Sequence, residues 1–409
     1  MSSFSIPLTG LEASSTALDT IANNLSNMST TAFKSQSTSF SDLFYQQIGS
    51  AGSGDPLQVG AGVQVAATNT DFSQGSISET GNNGDVALNG NGFFVVQNSD
   101  GTTAYTRDGS FALSSTGALT TQGGQAIMGY PAVNGVVNTN ASLTPVQIPV
   151  GQVEQPAATQ NFGLTANLNS SAAVGSTFPA QLTVYDSLGQ PQTVTATFTK
   201  TAANTWNYSL ALPAGAATGG TNLTGTLQFD GSGNLIAPAA NVAGISFTGL
   251  SDGANNLTLN WNLYGANGTS TVTQVDTTSA VSATTQDGYA SGEYAGFNID
   301  SNGVISAKFS NGRTAAVGQL ALANITNQQG LKLDAGNLYE TTLASGAASV
   351  GLAGAGGLGT VQDAALEGSN VNISNEFSNL IVAERAYEAS SKAVTTFDQV
   401  TQDAINTIH

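Results

Sequence analysis

Two narrow apolar stripes, one at each end of the chain, restrict what this sequence can fold into more than any other feature. Phe4, Leu8, Leu11, Ser15, Leu18, Ala22 and Leu25 follow one another at alternating spacings of four and three. That is the a/d rhythm of a coiled-coil seam and predicts a helix over residues 4–25. Pro7 sits near the start, where its missing N–H is harmless. Asn27, Ser29, Thr30 and Thr31 then favour a cap or a turn. The same rhythm returns from Ile373 through Phe377, Leu380, Glu384, Tyr387, Ser391, Val394, Asp398, Thr401, Ile405 and Ile408. Residues 373–408 hold no Gly or Pro, and Glu376 falls in the first turn, so a second, longer helix is expected there. Both stripes are broken by Ser, Glu or Asp. Two such helices paired with each other bury little and need further neighbours. Each exposes too thin a stripe to offset its ordering entropy, so both ends are expected to be disordered in the monomer.

Between the helices the period changes from 3.6 to 2. Residues 193–199 (TVTATFT) alternate polar and apolar, and so do Trp206, Tyr208, Leu210 and Leu212, and Leu257, Leu259, Trp261 and Leu263. Turn dipeptides punctuate the strands at Asp100-Gly101, Asp108-Gly109, Asp230-Gly231, Asn302-Gly303 and Asn311-Gly312. The expected fold is multi-domain and mainly β: two antiparallel barrel- or sandwich-like domains, one inserted in the other, with paired coiled-coil-like terminal helices. Gly/Ser-rich stretches at 49–62 and 346–359 mark joints. The predicted boundaries are 1–30 with 366–409 for the helical part and 31–70 for a linker. A discontinuous β domain takes 71–147 with 288–360, and an inserted outer β domain takes 148–287.

Composition excludes several function classes. Eight basic against 26 acidic residues give a net charge of −18, and charged residues are only 8% of the chain. Phosphate neutralisation on nucleic acid and docking to anionic lipid both need a basic patch that these residues cannot build. There is no Cys, and the single His is residue 409, so thiolate chemistry, Cys-based metal sites and a His triad within one chain are excluded. No catalytic, cofactor or metal residues are assigned. No apolar run reaches membrane-spanning length, and the N-terminus lacks the basic and apolar regions of a cleavable signal peptide. The Gly/Thr/Ser/Asn-rich, Lys-poor composition nevertheless suits an extracellular protein. Gly354, Gly356 and Gly359 spell GxGxxG without a βαβ setting, and Asp230–Gly233 reads as a hairpin turn. Lys34 and Arg107 are the only cations in the first 199 residues. Arg107 is expected to pair with Asp85 or Asp108. Arg385, between Glu384 and Glu388, is expected to form a helix ion pair or, alternatively, an inter-subunit one.

Four blocks carry a family resemblance. LDTIANNLSN (18–27) with Thr31-Ala32-Phe33-Lys34, and EGSNVNISNEFSNLIVAERAYEASSKAV (367–394), are similar to the terminal motifs of bacterial flagellar axial proteins. LNGNGFFVV (88–96) with Tyr105–Phe111, Gly117-Ala118-Leu119 and Gly129-Tyr130-Pro131 resembles the β domain shared by rod and hook subunits. QLTVYDSLGQPQTVTATFTK (181–200), Asn204-Thr205-Trp206 and LQFDGSGNL (227–235) resemble an extra β domain that rod members lack. The resemblance implies a non-enzymatic structural subunit of the hook, polymerised into a curved, flexible tube that passes motor torque from rod to filament. It implies export through the flagellar type III channel and residence in the extracellular hook. It also implies the partners: further copies of the chain, the distal rod, the hook cap, the hook-length ruler and the hook–filament junction proteins. No nucleic acid or membrane insertion is expected. The alternatives are a distal rod subunit, or a secreted β-rich adhesin or enzyme. Subunit assembly is expected to use Leu8, Leu11, Leu18, Asn23, Asn24, Leu25, Asn27, Phe33, Lys34, Ile373, Phe377, Leu380, Ile381, Arg385, Tyr387 and Val394. Asn23, Asn24 and Asn27 read equally as a helix stop or as inter-subunit amides. Ala32 stands where the family usually has Gly. A positive φ there would strain Ala by about 1 kcal/mol.

Overall fold

The computed structural model describes residues 5–50 and 56–407. Phe4, Ile408 and His409 lie outside the described residues. The chain divides into two units. One comprises residues 1–150, 296–307 and 314–409, and the other residues 151–295 and 308–313. In sequence, the second is therefore an insertion in the first.

The inserted unit is a β-sandwich. One sheet is a meander of Thr177–Tyr185, Pro191–Ala202, Thr205–Ala211, Thr224–Phe229 and Leu235–Ala237. The period-2 pattern of residues 193–199 places Val194, Ala196 and Phe198 inward and the threonines outward. The facing sheet runs Ala217–Thr221, Val242–Leu250, Leu257–Asn262, Asn161–Asn169 and Val272–Val275, with Ala280–Gln286 also on Asn161–Asn169. This sheet is not wholly antiparallel as expected. Asn161–Asn169 runs parallel to Leu257–Asn262 and to Val272–Val275. Strands of both sheets intervene in sequence between Asn161–Asn169 and these two neighbours, and such long connections permit parallel pairs that a hairpin cannot make. Trp261 sits at the centre of the core. It stacks on Phe162 (5.7 Å, 17°) in its own sheet and meets Tyr208 of the meander edge-on at 5.1 Å.

The first unit is built by interleaving the two ends of the chain. Phe93–Gln97 pairs with Thr103–Thr106 through the Asp100-Gly101 turn, and with Ala126–Val133 and Leu322–Asn324. Thr103–Thr106 pairs with Leu338–Glu340, and Val86–Asn89 with Thr360–Asp363. Phe72, Phe93 and Tyr339 pack as an aromatic trio with centroids 5.5–5.9 Å apart. Strands from both halves of the sequence thus share one core and bring the two terminal segments together.

Within 31–70, expected as a linker region, Gln36–Asp42 pairs with Val63–Thr70, and Gln46–Ser50 with Pro56–Val59, as a β-ribbon. Val63-Gln64-Val65 alternates apolar and polar, whereas Ser37-Thr38-Ser39 gives no such signal. Both expected terminal helices are present: Ser5–Ser26 is helix α1 and Ile373–Thr407 is helix α2. No helix among the described residues is long and apolar enough to cross a membrane. Gly354 and Gly356 lie at positive φ in a loop between the strands Ser349–Gly351 and Thr360–Asp363, so the element that follows the glycines is a strand and not a helix.

Candidate assembly surface

The helices α1 and α2 pack against each other in opposite directions. The end of α1 and the start of α2 are tied at one place, since Ala32 N–H donates to Glu367 O (2.8 Å) and Ser35 N–H to Asn370 Oδ1 (2.7 Å). Further along, Gly10 lies opposite Ser390, and a Cβ on Gly10 would come within 3.1 Å of Ser390 Oγ. Small residues mark the contact: Gly10 faces Ser390, and Ala13 on α1 and Ala383 on α2 are buried. The stripe read from the sequence is not this face. Small side chains let the two backbones approach, whereas leucines would hold them apart. The larger residues are therefore left outside. Leu8 is 50% exposed, Phe377 49% and Ile381 58%, and Ile373 and Tyr387 are exposed as well. Leu11, Leu18, Leu25, Leu380 and Val394 are half-buried. An apolar face of this extent on paired helices is the kind of surface that marks a protein–protein contact.

Below the helices, several of the expected contact residues turn out to be internal. Asn24 is buried. Its amide donates to Gln36 O (2.7 Å) and accepts from Gln36 N–H (2.9 Å), which joins α1 to the ribbon as a ladder residue would. Asn27 donates to Asn23 O (2.9 Å) and accepts from Thr30 Oγ1 (3.0 Å), so it stops the helix. Asn23 itself is exposed. Ala32 is fully buried at φ +56°, so the turn keeps the left-handed conformation although Ala replaces the usual Gly. Burying its methyl returns about 0.8 kcal/mol, close to the strain it carries. Ala32→Val adds a β-branched side chain at a positive φ in a filled site. We expect it to lower unfolding free energy by about 3 kcal/mol in urea titration, and Ala32→Gly to change it by less than about 1.

Phe33 and Lys34 are also buried. Lys34 Nζ donates to Glu367 Oε1 (2.6 Å) and Ser73 O (2.7 Å). Arg107 reaches the other oxygen of Glu367 (Nη1–Oε2 3.4 Å), donates to Gly90 O (2.7 Å), and lies over the Phe93 ring. The expected partners of Arg107 are engaged elsewhere. Asp108 accepts from the N–H and hydroxyl of Ser110, and Asp85 from Asn82. Short carboxylates favour such local turns, whereas the long Arg side chain reaches inward. Two cations thus share one carboxylate in a dry site. Burial pushes Lys34 and Arg107 below their ordinary pKa values, with Glu367 opposing. On α2, Arg385 pairs with Glu388 (3.1 Å) at the surface, one of its two expected partners.

Tyr339 beside this cluster is pushed up to about 12, first by burial, with Glu367 adding and Arg107 opposing. An unfolded tyrosine titrates near 10, so between pH 10 and 12 the unfolded chain loses a proton that the folded one keeps. Stability falls as pH rises through that window, by up to roughly 1.4 kcal/mol per pH unit. The depressed Lys34 acts with opposite sign up to 10.5 and the depressed Arg107 up to 12.5, so the Tyr339 contribution is read as the difference from Tyr339→Phe. Tyr339→Phe is expected to flatten the decline between pH 10.5 and 12 in thermal melts.

The geometry defines a β-rich subunit whose paired terminal helices expose an apolar face, and the comparisons place that class. Residues 7–34 match the family model "Flagella basal body rod protein" and residues 362–407 "Flagellar basal body rod FlgEFG protein C-terminal". Residues 87–166 match "Flagellar hook protein FlgE/F/G D1 domain" and 165–289 "Flagellar basal body protein FlaE D2 domain". The flagellar hook protein FlgE of Escherichia coli K12 is 33% identical over 98% of this chain and 99% of its own length. That of Salmonella typhimurium is 34% identical over 99% of both chains, and that of Treponema pallidum 31% over 96% of both. The crystal structure of Helicobacter pylori FlgE2 shares the fold (TM-score 0.52, 16% identity), with 70% of this chain and 99% of that one covered. The chain belongs to the flagellar hook protein family FlgE.

Proposed function

We propose that the chain builds the hook as a helical homopolymer held by its terminal helices. The observation that carries this is the face of Leu8, Phe377 and Ile381, which stays exposed although α1 and α2 are already paired. Closing that face takes further copies, and an open tube needs such non-closing contacts. In this reading, residues 1–30 and 366–409 line the tube. Residues 71–147 with 288–360 form a discontinuous β domain, and residues 148–287 an inserted one. Of the expected contact residues, Leu8, Leu11, Leu18, Leu25, Ile373, Phe377, Leu380, Ile381, Tyr387 and Val394 meet neighbouring subunits. Asn24, Phe33 and Lys34 act from inside by fixing the helices to the ribbon and the β core. Thr/Asn/Ser-rich outer surfaces with few ion pairs let subunits slide as the tube bends. The chain leaves the cell through the flagellar type III channel. It meets the distal rod at one end, the cap and then the junction proteins at the other, and the length ruler during growth.

Immunogold electron microscopy of isolated flagella, with an antibody against residues 148–287, tests this. Gold along the short curved segment between basal body and filament is the expected result. Gold on the rod instead would make the chain a rod subunit, and its absence from every flagellar part would overturn the reading.

A further inference from the structure

The ribbon carries an aromatic knob. Phe44 is 95% exposed and the adjacent Tyr45 is exposed too, between the two paired stretches of the ribbon. The backbone just before them is fixed, since Leu43 N–H donates to Gly62 O (2.9 Å). Phe40 and Val65, paired across the ribbon, add exposed apolar area beside the knob. The same unit carries a hole. A groove of about 440 Å³ runs between α1, α2 and the root of the ribbon, where Ala13, Ala17, Val382 and Ala386 line it with Phe40 and Val63. A second stretch of about 520 Å³ extends it past Gly10 and Ser390 to Pro7 and Ala393. No charged side chain lines either stretch.

We propose that Phe44 and Tyr45 of one copy seat in the helix–ribbon groove of a second copy. Knob and groove are both apolar and uncharged, and large aromatics complement a hollow lined by alanines. The knob is left almost entirely bare by its own chain, so its own groove does not hold it. Because knob and groove are different places on one surface, the contact is heterologous. Each added copy presents a fresh knob and a fresh groove, and the chain of contacts does not close. A second copy is therefore the occupant: every copy supplies both halves, and an open polymer engages all of them but the last. This inference rests on the homopolymer reading above.

The full chain has no cysteine, so introduced ones report cleanly. Cells making the Phe44→Cys/Ala386→Cys chain are oxidised, and their hooks are run on non-reducing gels. The expected result is a ladder of multimers, with neither single variant giving one. Phe44→Ala should melt like the unmodified chain and raise the critical concentration for polymerisation at least tenfold. Hooks that form normally but give no ladder would overturn the knob-in-groove contact and leave the hook reading standing. So would cross-linking of Phe44→Cys alone, which puts knob against knob, or of Ala386→Cys to a different protein. An unmodified chain that forms no polymer would overturn both.

Discussion

Glu367→Gln is expected to lower the stability of the first unit by about 3–5 kcal/mol. Glu367 is fully buried, and it is the carboxylate that Lys34 and Arg107 share. Its oxygen Oε1 also accepts from Gly75 N–H (2.9 Å). The amide keeps the shape but leaves two cations in a dry site without a counter-charge. Burial already disfavours both cations with Glu367 present. Lys34→Met is expected to cost less, because it leaves a neutral Arg107–Glu367 pair. Calorimetry of the full chain checks this, and the Glu367→Gln transition should drop by roughly 10 °C. The helices should loosen as well, because Lys34 and Glu367 flank the hydrogen bonds that tie the end of α1 to the start of α2. A Lys34→Met loss equal to or larger than the Glu367→Gln loss would contradict the account.

The second large effect belongs to the inserted unit. Trp261→Ala removes a fully buried side chain that touches Phe162 in its own sheet and Tyr208 and Phe198 in the other. Large-to-small changes at such sites cost about 3–5 kcal/mol, from lost burial plus the cavity left behind. Trp261→Phe keeps most of the ring contact and is expected to cost less than half as much. Calorimetry again separates the cases: the transition of the inserted unit should move, and that of the first unit should stay in place.

Much of this fold was legible where a period repeats. The 3/4 spacing from Leu8 to Leu25 and from Ile373 to Ile405 placed both helices. The alternation at 193–199 and around Trp206 and Trp261 placed core strands together with their inward faces. Long-range partnership was not legible. Lys34 and Arg107 were conspicuous as isolated cations, yet nothing local says that both close on Glu367, 333 and 260 residues away. The ribbon was masked by its Gly/Ser-rich stretch, which reads as a joint. The helix contact itself was missed because hydropathy periodicity marks large apolar residues. The contact at Gly10, Ala13, Ala383 and Ser390 depends instead on how closely two backbones approach. The signal present for it was the Gly and Ala spaced three and four apart, one face round from the leucines.

Cryo-electron microscopy of isolated hooks, at a resolution that shows side chains, decides whether the terminal helices hold the tube together. The expected map has α1 and α2 paired at the inner wall, with Leu8, Leu18, Phe377 and Ile381 packed against helices of neighbouring subunits. The same residues facing open water, with the tube held together by the inserted units alone, would contradict it.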